Sequence, residues 1–161
     1  MAAMKRYLVA AALAAGLAAP ALADLDGGVA AYEQGDYAAA MAELRPLAQA
    51  GSAEAQYVLG TMYDQALGVA RDPARALEWY CEAARQRWSP AQYMLGLIYA
   101  VGAQDVPQDY VRAHMWFDIA AAQGVVEAAR LRERIRAQMT SAQVLEAQRE
   151  AGYFLGTLTR P

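Results

Sequence analysis

The sequence is poor in the side chains from which most catalytic and metal sites are built. Its 161 residues include one cysteine, Cys81, one histidine, His114, and no asparagine. A single cysteine cannot form an intramolecular disulfide, so packing must stabilise the fold. The sequence also lacks a Cys/His cluster with metal-ligand spacing and a glycine-rich phosphate-binding loop. We therefore expect no cofactor and no metal site.

Lysine is almost absent, and the one lysine belongs to a targeting pattern. Lys5 and Arg6 precede a short apolar run over residues 7–19, and the small-residue cleavage sequence Ala-Leu-Ala follows at residues 21–23. This arrangement is typical of a secretory signal peptide. The run is shorter than the roughly 20 residues that a membrane-spanning helix needs. We predict a signal peptide over residues 1–23 with cleavage after Ala23, a periplasmic or secreted location, and no membrane insertion after cleavage.

The chain that remains after this cleavage has a mild acidic excess. It carries 12 arginines and 17 acidic residues, so its net charge is 12 minus 17, or −5. The densest basic run, residues 130–136, has arginines at alternate positions, which fall on two faces of a helix and form no single basic stripe. Because these features supply no long-range attraction to nucleic acid, we expect no nucleic-acid partner.

What the sequence does contain is an internal repeat. Residues 55–63, AQYVLGTMY, return 36 residues later as AQYMLGLIY over residues 91–99, with six of nine positions identical. A second block, RALEWY over residues 75–80, returns as RAHMWF over residues 112–117. A period in the mid-thirties that carries two helix-sized blocks predicts a solenoid of helical hairpins. We predict one all-α domain over residues 24–161.

Capping and stop residues set the predicted helix boundaries. Asp36, Asp72 and Asp109 stand where helices should begin, and Gly35 and Gly51 stand where helices should end. The result is four antiparallel helix pairs, an αα-hairpin solenoid of about eight helices. The predicted helices span residues 26–34, 37–49, 53–66, 73–86, 90–101, 109–122, 126–138 and 141–156.

Two glycines, Gly60 and Gly96, fall in predicted helix interiors, where glycine costs about 1 kcal/mol relative to alanine. We interpret them as places where the second helix of a hairpin approaches the first closely. Large side chains at repeated positions, Tyr80 and Phe117, are expected to fill the space. Because one hairpin cannot bury its apolar face alone, neighbouring hairpins must stack.

These motifs resemble the Sel1-like repeat, a longer-looped relative of the tetratricopeptide repeat. The matching pattern is AQYxLGxxY, a loop with Gly68, Val69 and Asp72, and then RALEWYxxAA. The resemblance extends over nearly all of the chain after the signal peptide. It implies a tetratricopeptide-like first unit over residues 24–52, Sel1-like repeats over residues 53–88 and 89–124, and a C-terminal capping helix pair over residues 125–161.

The most plausible catalytic pair is Cys81 with His114, as thiolate and base. The repeat register places them on neighbouring second helices but one turn out of step, on the order of 10 Å apart. We therefore interpret His114 as a packing or surface residue and Cys81 as a small apolar residue. The chain is predicted not to be an enzyme.

The first helices of stacked hairpins line the concave side of a solenoid, so their free positions are candidate partner contacts. Aromatic and apolar side chains there suit an extended peptide or a partner helix. Trp88, at a turn between hairpins, is expected either to cover a hydrophobic seam or to join the partner surface. The candidate contacts are Tyr57, Thr61, Asp64, Tyr93, Leu97 and Trp88.

The leading functional hypothesis is a non-enzymatic periplasmic adaptor or scaffold that binds a protein or peptide through the concave face, as the resemblance to Sel1-like scaffolds implies. Two alternatives remain open. One is an envelope-associated hydrolase or β-lactam-binding protein, a role that the resemblance suggests through cysteine-rich secreted relatives. This chain has neither their disulfides nor an S-x-x-K motif. The other is a self-associating structural protein, joined through an open solenoid end or through Cys81.

Overall fold

The computed structural model describes residues 23–103 and 106–158, and over these residues the chain forms eight helices. An isolated bridge between Ala103 and Val106 is the one β-type pairing in the described ranges. The all-α prediction is confirmed. The predicted signal peptide falls almost wholly on residues 1–22, outside the described ranges, and stays a prediction. The helices are α1 (Leu25–Glu33), α2 (Tyr37–Gln49), α3 (Ala53–Gln65), α4 (Pro73–Arg85), α5 (Ser89–Val101), α6 (Tyr110–Ala122), α7 (Val126–Arg136) and α8 (Ser141–Leu158).

The helix boundaries follow from capping chemistry. The carboxylates of Asp36, Asp72 and Asp109 each accept a hydrogen bond from the backbone N–H three residues on, at 3.0 to 3.1 Å. At the start of α8, Thr140 and Gln143 form a capping box, with bonds of 2.9 Å and 3.3 Å. Each cap satisfies donors that the first helical turn leaves unpaired. The predicted boundaries are confirmed to within two residues at every helix end.

Close approach inside each hairpin is confirmed at both glycines. A Cβ atom on Gly60 would lie 2.7 Å from a ring carbon of Tyr80, and one on Gly96 would lie 2.5 Å from a ring carbon of Phe117. Both rings are fully buried. The missing side chain therefore sets the spacing of α3 from α4 and of α5 from α6.

The first hairpin uses the same device, which the repeat pattern did not reveal. A Cβ atom on Gly28 of α1 would lie 2.7 Å from a side-chain carbon of Leu44 on α2. Gly28 precedes Gly60 by 32 residues and not by 36, and an aliphatic side chain replaces the ring. Because of this irregular spacing, the 36-residue repeat does not predict the contact between Gly28 and Leu44.

A ladder of buried glutamines joins successive hairpins. Gln56 and Gln92 each donate from Nε2 to the backbone carbonyl eight residues earlier, at 3.0 Å, near the end of the preceding helix. Gln86 donates to the side-chain oxygen of Gln56 at 2.7 Å, and Gln123 donates to that of Gln92. Each glutamine thus adds a second hydrogen bond to a carbonyl that already accepts a backbone N–H near a helix end, and so ties one hairpin to the next.

The loop within each Sel1-like unit is held by a tyrosine and an arginine. The Arg75 guanidinium lies 5.0 Å from the ring centre of Tyr63 and donates to its hydroxyl at 3.1 Å. Arg112 repeats this arrangement on Tyr99, with a distance of 5.3 Å to the ring centre. Each pair combines a cation–π contact with a hydrogen bond, so the loop between the two helices of the unit closes on the same surface both times.

The last two helices pack differently from the predicted closing hairpin. α7 packs against α6, and α8 also turns back onto α6 instead of lying along α7. The physical reason is the distribution of apolar side chains. α7 buries only Ala128 and Ile135, whereas α8 presents Ala147 and Ala151 to the large central cluster of buried residues.

The glycine contacts predict opposite effects for two alanine substitutions. Gly96→Ala should lower the free energy of unfolding by about 1–3 kcal/mol, because its methyl group overlaps the buried Phe117 ring. Gly152→Ala, in a helix but with no other atom near its Cβ position, should raise it by up to about 1 kcal/mol. Urea unfolding monitored by helicity measures both. Equal stability of the Gly96→Ala protein and the wild type would contradict this account of the hairpin spacing.

Candidate binding surface

Two half-buried tyrosines mark the exposed side of the first helices. The Tyr57 ring on α3 packs at 5.9 Å, between ring centres, on Tyr80, and the Tyr93 ring on α5 packs at 6.0 Å on Phe117. These supporting rings are the ones that fill the space left by the two helix glycines. Neither phenol hydroxyl of Tyr57 or Tyr93 has a hydrogen-bond partner among the described residues. Ring packing therefore positions each tyrosine, and its phenol hydroxyl remains available for a hydrogen bond to a partner.

Leu97 and Asp64 complete this surface, which we call the first-helix face and define as Tyr57, Asp64, Tyr93 and Leu97. Leu97 is half-buried and packs against the cluster that contains Phe117. The Asp64 side chain is 31% exposed, with its carboxylate 3.5 Å from Arg71, whose Nε donates to the Asp64 carbonyl at 2.8 Å. Asp64 thus fixes the loop after α3, and its charge is partly neutralised.

Thr61 does not belong to this face, which corrects its selection as a candidate contact. Its side chain is 7% exposed. The hydroxyl donates to the Tyr57 carbonyl at 3.1 Å and accepts from the Tyr80 hydroxyl at 3.3 Å. Burial raises the pKa of Tyr80, and the Thr61 bond opposes that shift. Thr61 satisfies a buried phenol, a role that depends on which helix faces it and that the α3 sequence alone does not reveal.

Trp88 lies at the junction of α4 and α5. Its surroundings favour the interpretation that it covers a hydrophobic seam between hairpins. Its side chain is half-buried and packs against the central cluster. The indole Nε1 is buried and has no hydrogen-bond partner among the described residues. Trp88 therefore covers the joint between two hairpins.

Cys81 and His114 are not prepared for nucleophilic chemistry. Burial raises the pKa of the half-buried Cys81 thiol, with Arg85 acting in the opposite direction. Burial lowers the pKa of His114, which is 2% exposed, and Asp118 opposes that shift. Near neutral pH these shifts favour a thiol and a neutral imidazole, whereas a catalytic pair needs a thiolate. No hydrogen bond links the two side chains in the described part of the chain.

Three of the four arginines of α7 are engaged with acidic neighbours. Arg132 lies 2.5 Å from Asp118 and 3.0 Å from Glu133. Arg136 lies 3.3 Å from Glu133 and Arg130 lies 3.3 Å from Glu127. Hydrogen bonds from Arg132 and Arg136 hold the pKa of Glu133 below its usual value. The basic run is therefore largely neutralised by local pairing and presents no basic stripe.

Over residues 23–103 and 106–158, no group of three His, Cys, Asp or Glu side chains is close enough to hold a metal ion. None of the helices described here combines the length and the apolar character needed to cross a membrane.

Comparison with known proteins identifies the family. Residues 53–87 and 89–125 each match the Sel1 repeat. The chain is a Sel1-like repeat protein. A 45-residue stretch is also 47% identical to chitin synthase regulatory factor 3 of Schizosaccharomyces pombe, although this covers 28% of the chain and only 5% of the fission-yeast protein.

Two solved structures share the fold of this Sel1-like protein. One is a protective antigen present in uropathogenic Escherichia coli strains that displays an SLR fold, with a TM-score of 0.74 and 29% identity over 80% of this chain. The other is a Sel1 repeat protein from Oxalobacter formigenes, with a TM-score of 0.68 and 27% identity over 81% of this chain. The match covers 28% and 56% of those two proteins, respectively. Sel1 repeat proteins typically mediate protein–protein interactions.

The buried histidine predicts a pH dependence of stability. The pKa of His114 is lower in the folded chain than in the unfolded chain, so the unfolded state binds more protons as the pH falls through about 6.5. Stability is therefore fully present above that pH and is lost as the pH falls below it. Urea unfolding at pH 7.5, 6.5 and 5.5 measures the loss.

The matched variant is His114→Leu, because the repeat places Leu77 at the equivalent position. This variant should unfold at nearly the same urea concentration at all three pH values, apart from the smaller contribution of carboxylates that titrate at lower pH. An unchanged pH slope in His114→Leu would show that another group causes the loss.

Proposed function

We propose that the protein is a non-enzymatic adaptor that binds a protein or peptide through the first-helix face. The signal-peptide pattern of residues 1–23 leads us to propose that it acts in the periplasm or outside the cell. The observation that carries the proposal is the pair of repeat-equivalent tyrosines, Tyr57 and Tyr93, whose rings are packed and whose phenols lack partners among the described residues. Interaction through Sel1 repeats is the usual activity of this family.

The chemistry of the face favours an uncharged stretch of polypeptide. Tyrosine combines a large apolar ring with a hydrogen-bonding end, which makes it a frequent anchor residue in interfaces. Leu97 adds apolar area beside Tyr93. The nearest cation, Arg71, is already paired with Asp64, so this face offers no free positive charge to hold a carboxylate. An extended segment or the apolar side of a helix fits these side chains.

The alternative functions receive less support from the side chains that they would require. A disulfide-linked dimer needs a reactive Cys81 thiolate, and burial raises the pKa of that thiol. A hydrolase needs an activated nucleophile, and the Cys81 and His114 side chains favour their neutral forms. The adaptor requires only the packed tyrosines and their exposed phenols.

The adaptor proposal is tested by affinity capture with the chain from residue 24 to residue 161, followed by identification of the bound envelope proteins by mass spectrometry. For a partner found in this way, Tyr57→Ala with Tyr93→Ala should weaken binding at least about tenfold, because truncation of two interface anchors removes more than 1.4 kcal/mol. Titration calorimetry with the purified partner measures the change. Helicity and the urea midpoint must show that the variant is folded.

Tyr153→Ala is the matched control, because Tyr153 is 76% exposed and lies on α8, away from the first helices. It should leave the affinity unchanged. Equal affinity of the double variant and the wild type would refute the assignment of the face. Turnover of a chromogenic β-lactam by the folded protein would favour the hydrolase alternative instead.

A further inference from the structure

Helix α8 covers one edge of the second helix α6. The Phe154 ring meets the Trp116 ring edge-on, with 4.9 Å between their centres. Met115 borders a cavity of about 450 Å³ with Phe154 and Arg149 of α8. Trp116 is left with 8% of its surface exposed. An amphipathic helix is thus the element that covers the Met115 and Trp116 edge of a second helix in this protein.

Among the described helices, none covers the equivalent edge of α4, one repeat earlier, as α8 covers α6. Trp79 precedes Trp116, and Glu78 precedes Met115, by the 37 residues that relate the two RAxxW blocks. Among the described helices, α4 packs chiefly against α3 and α5. Trp79 is half-buried, with its indole Nε1 buried and without a hydrogen-bond partner among the described residues, but its ring remains more exposed than that of Trp116. Beside it lies an open cavity of about 220 Å³, here called the Trp79 groove and defined by Arg45, Tyr63, Arg75, Glu78 and Trp79.

The charges of the Trp79 groove differ from those of its covered counterpart. Arg45 stands where the next repeat has Cys81, and Glu78 stands where it has Met115. Neither Arg45 nor Glu78 forms an ion pair or a side-chain hydrogen bond with the described residues. Arg75, by contrast, is already bonded to the Tyr63 hydroxyl at 3.1 Å. The groove therefore has an aromatic floor, and at its margins Arg45 and Glu78 form no direct ion pair with the described residues, although Glu78 lies within electrostatic range of Arg75.

From this correspondence we infer that the Trp79 groove is a second docking site, which binds an amphipathic helix of a partner protein. That helix places an aromatic side chain on Trp79, a basic side chain beside Glu78 and an acidic side chain beside Arg45. The site lies on the second helices and does not depend on the proposed role of the first-helix face. The sequence of α8 is a suitable probe, because Phe154 and Arg149 both lie beside Met115, the counterpart of Glu78.

The experiment adds a synthetic α8 peptide to the chain of residues 24–161. The peptide covers residues 140–156 and carries Gln148→Lys and Gly152→Asp, joined by a side-chain lactam on exposed positions, because free helices of this length are marginal in water. Titration calorimetry gives the affinity. Assigned indole N–H signals in the NMR spectrum report which tryptophan is contacted. We expect saturable binding that shifts the Trp79 signal and leaves the Trp116 signal in place.

Two groove variants and one control separate the sites. Trp79→Ala should lower the affinity for the peptide at least tenfold. Glu78→Arg changes an exposed position and leaves the core intact, and it should lower the affinity for the peptide severalfold. A peptide that carries Arg149→Glu should bind the Glu78→Arg chain with the lost affinity restored. Tyr93→Ala, on the first-helix face, should have no effect. A result for the groove is therefore distinguishable from a result for the proposed adaptor function.

Three outcomes would overturn the inference. The first is absence of binding by the helical peptide at millimolar concentration. The second is binding that shifts the Trp116 signal, which would mean that the peptide displaces α8 from its own site. The third is equal affinity for wild type and Glu78→Arg together with no gain from the Arg149→Glu peptide.

Discussion

Close contact between a helix glycine and a large side chain on the facing helix is the interaction on which the rest of this structure depends. It occurs at Gly60 with Tyr80 and at Gly96 with Phe117, and in the first hairpin at Gly28 with Leu44. Because a glycine has no Cβ atom, the large side chain of the facing second helix inserts fully. This contact fixes the spacing within each of these three hairpins. That spacing then sets where the next hairpin can stack.

The same buried rings also support the surface that we propose for binding. Tyr57 rests on Tyr80, and Tyr93 rests on Phe117. These half-buried tyrosines are therefore positioned by the core of their own hairpins and not by flexible loops, so little ordering is needed when a partner binds. Each of the two Sel1-like repeats therefore presents a tyrosine at the equivalent position of its first helix.

The two sides of the solenoid differ in chemistry. The first-helix face is largely uncharged, because Arg71 neutralises Asp64. The Trp79 groove on the second helices carries unpaired Arg45 and Glu78 at its margins. The first side therefore suits apolar and hydrogen-bonding polypeptide, and the second suits a helix with charges of both signs.

The sequence by itself determined the helices, their caps and the glycine–aromatic pairs, because these depend on neighbours in the chain or on residues that recur with the repeat. Asp72 with Pro73 and the paired blocks around Gly60 and Gly96 are sufficient for that. The tertiary structure decided which faces meet. Only it shows the Thr61 hydroxyl bonded to the buried Tyr80 phenol, the Gln56 and Gln92 ladder, and α8 on α6. The physical reason is that burial of a side chain depends on contacts between distant helices, which no local pattern in the chain encodes.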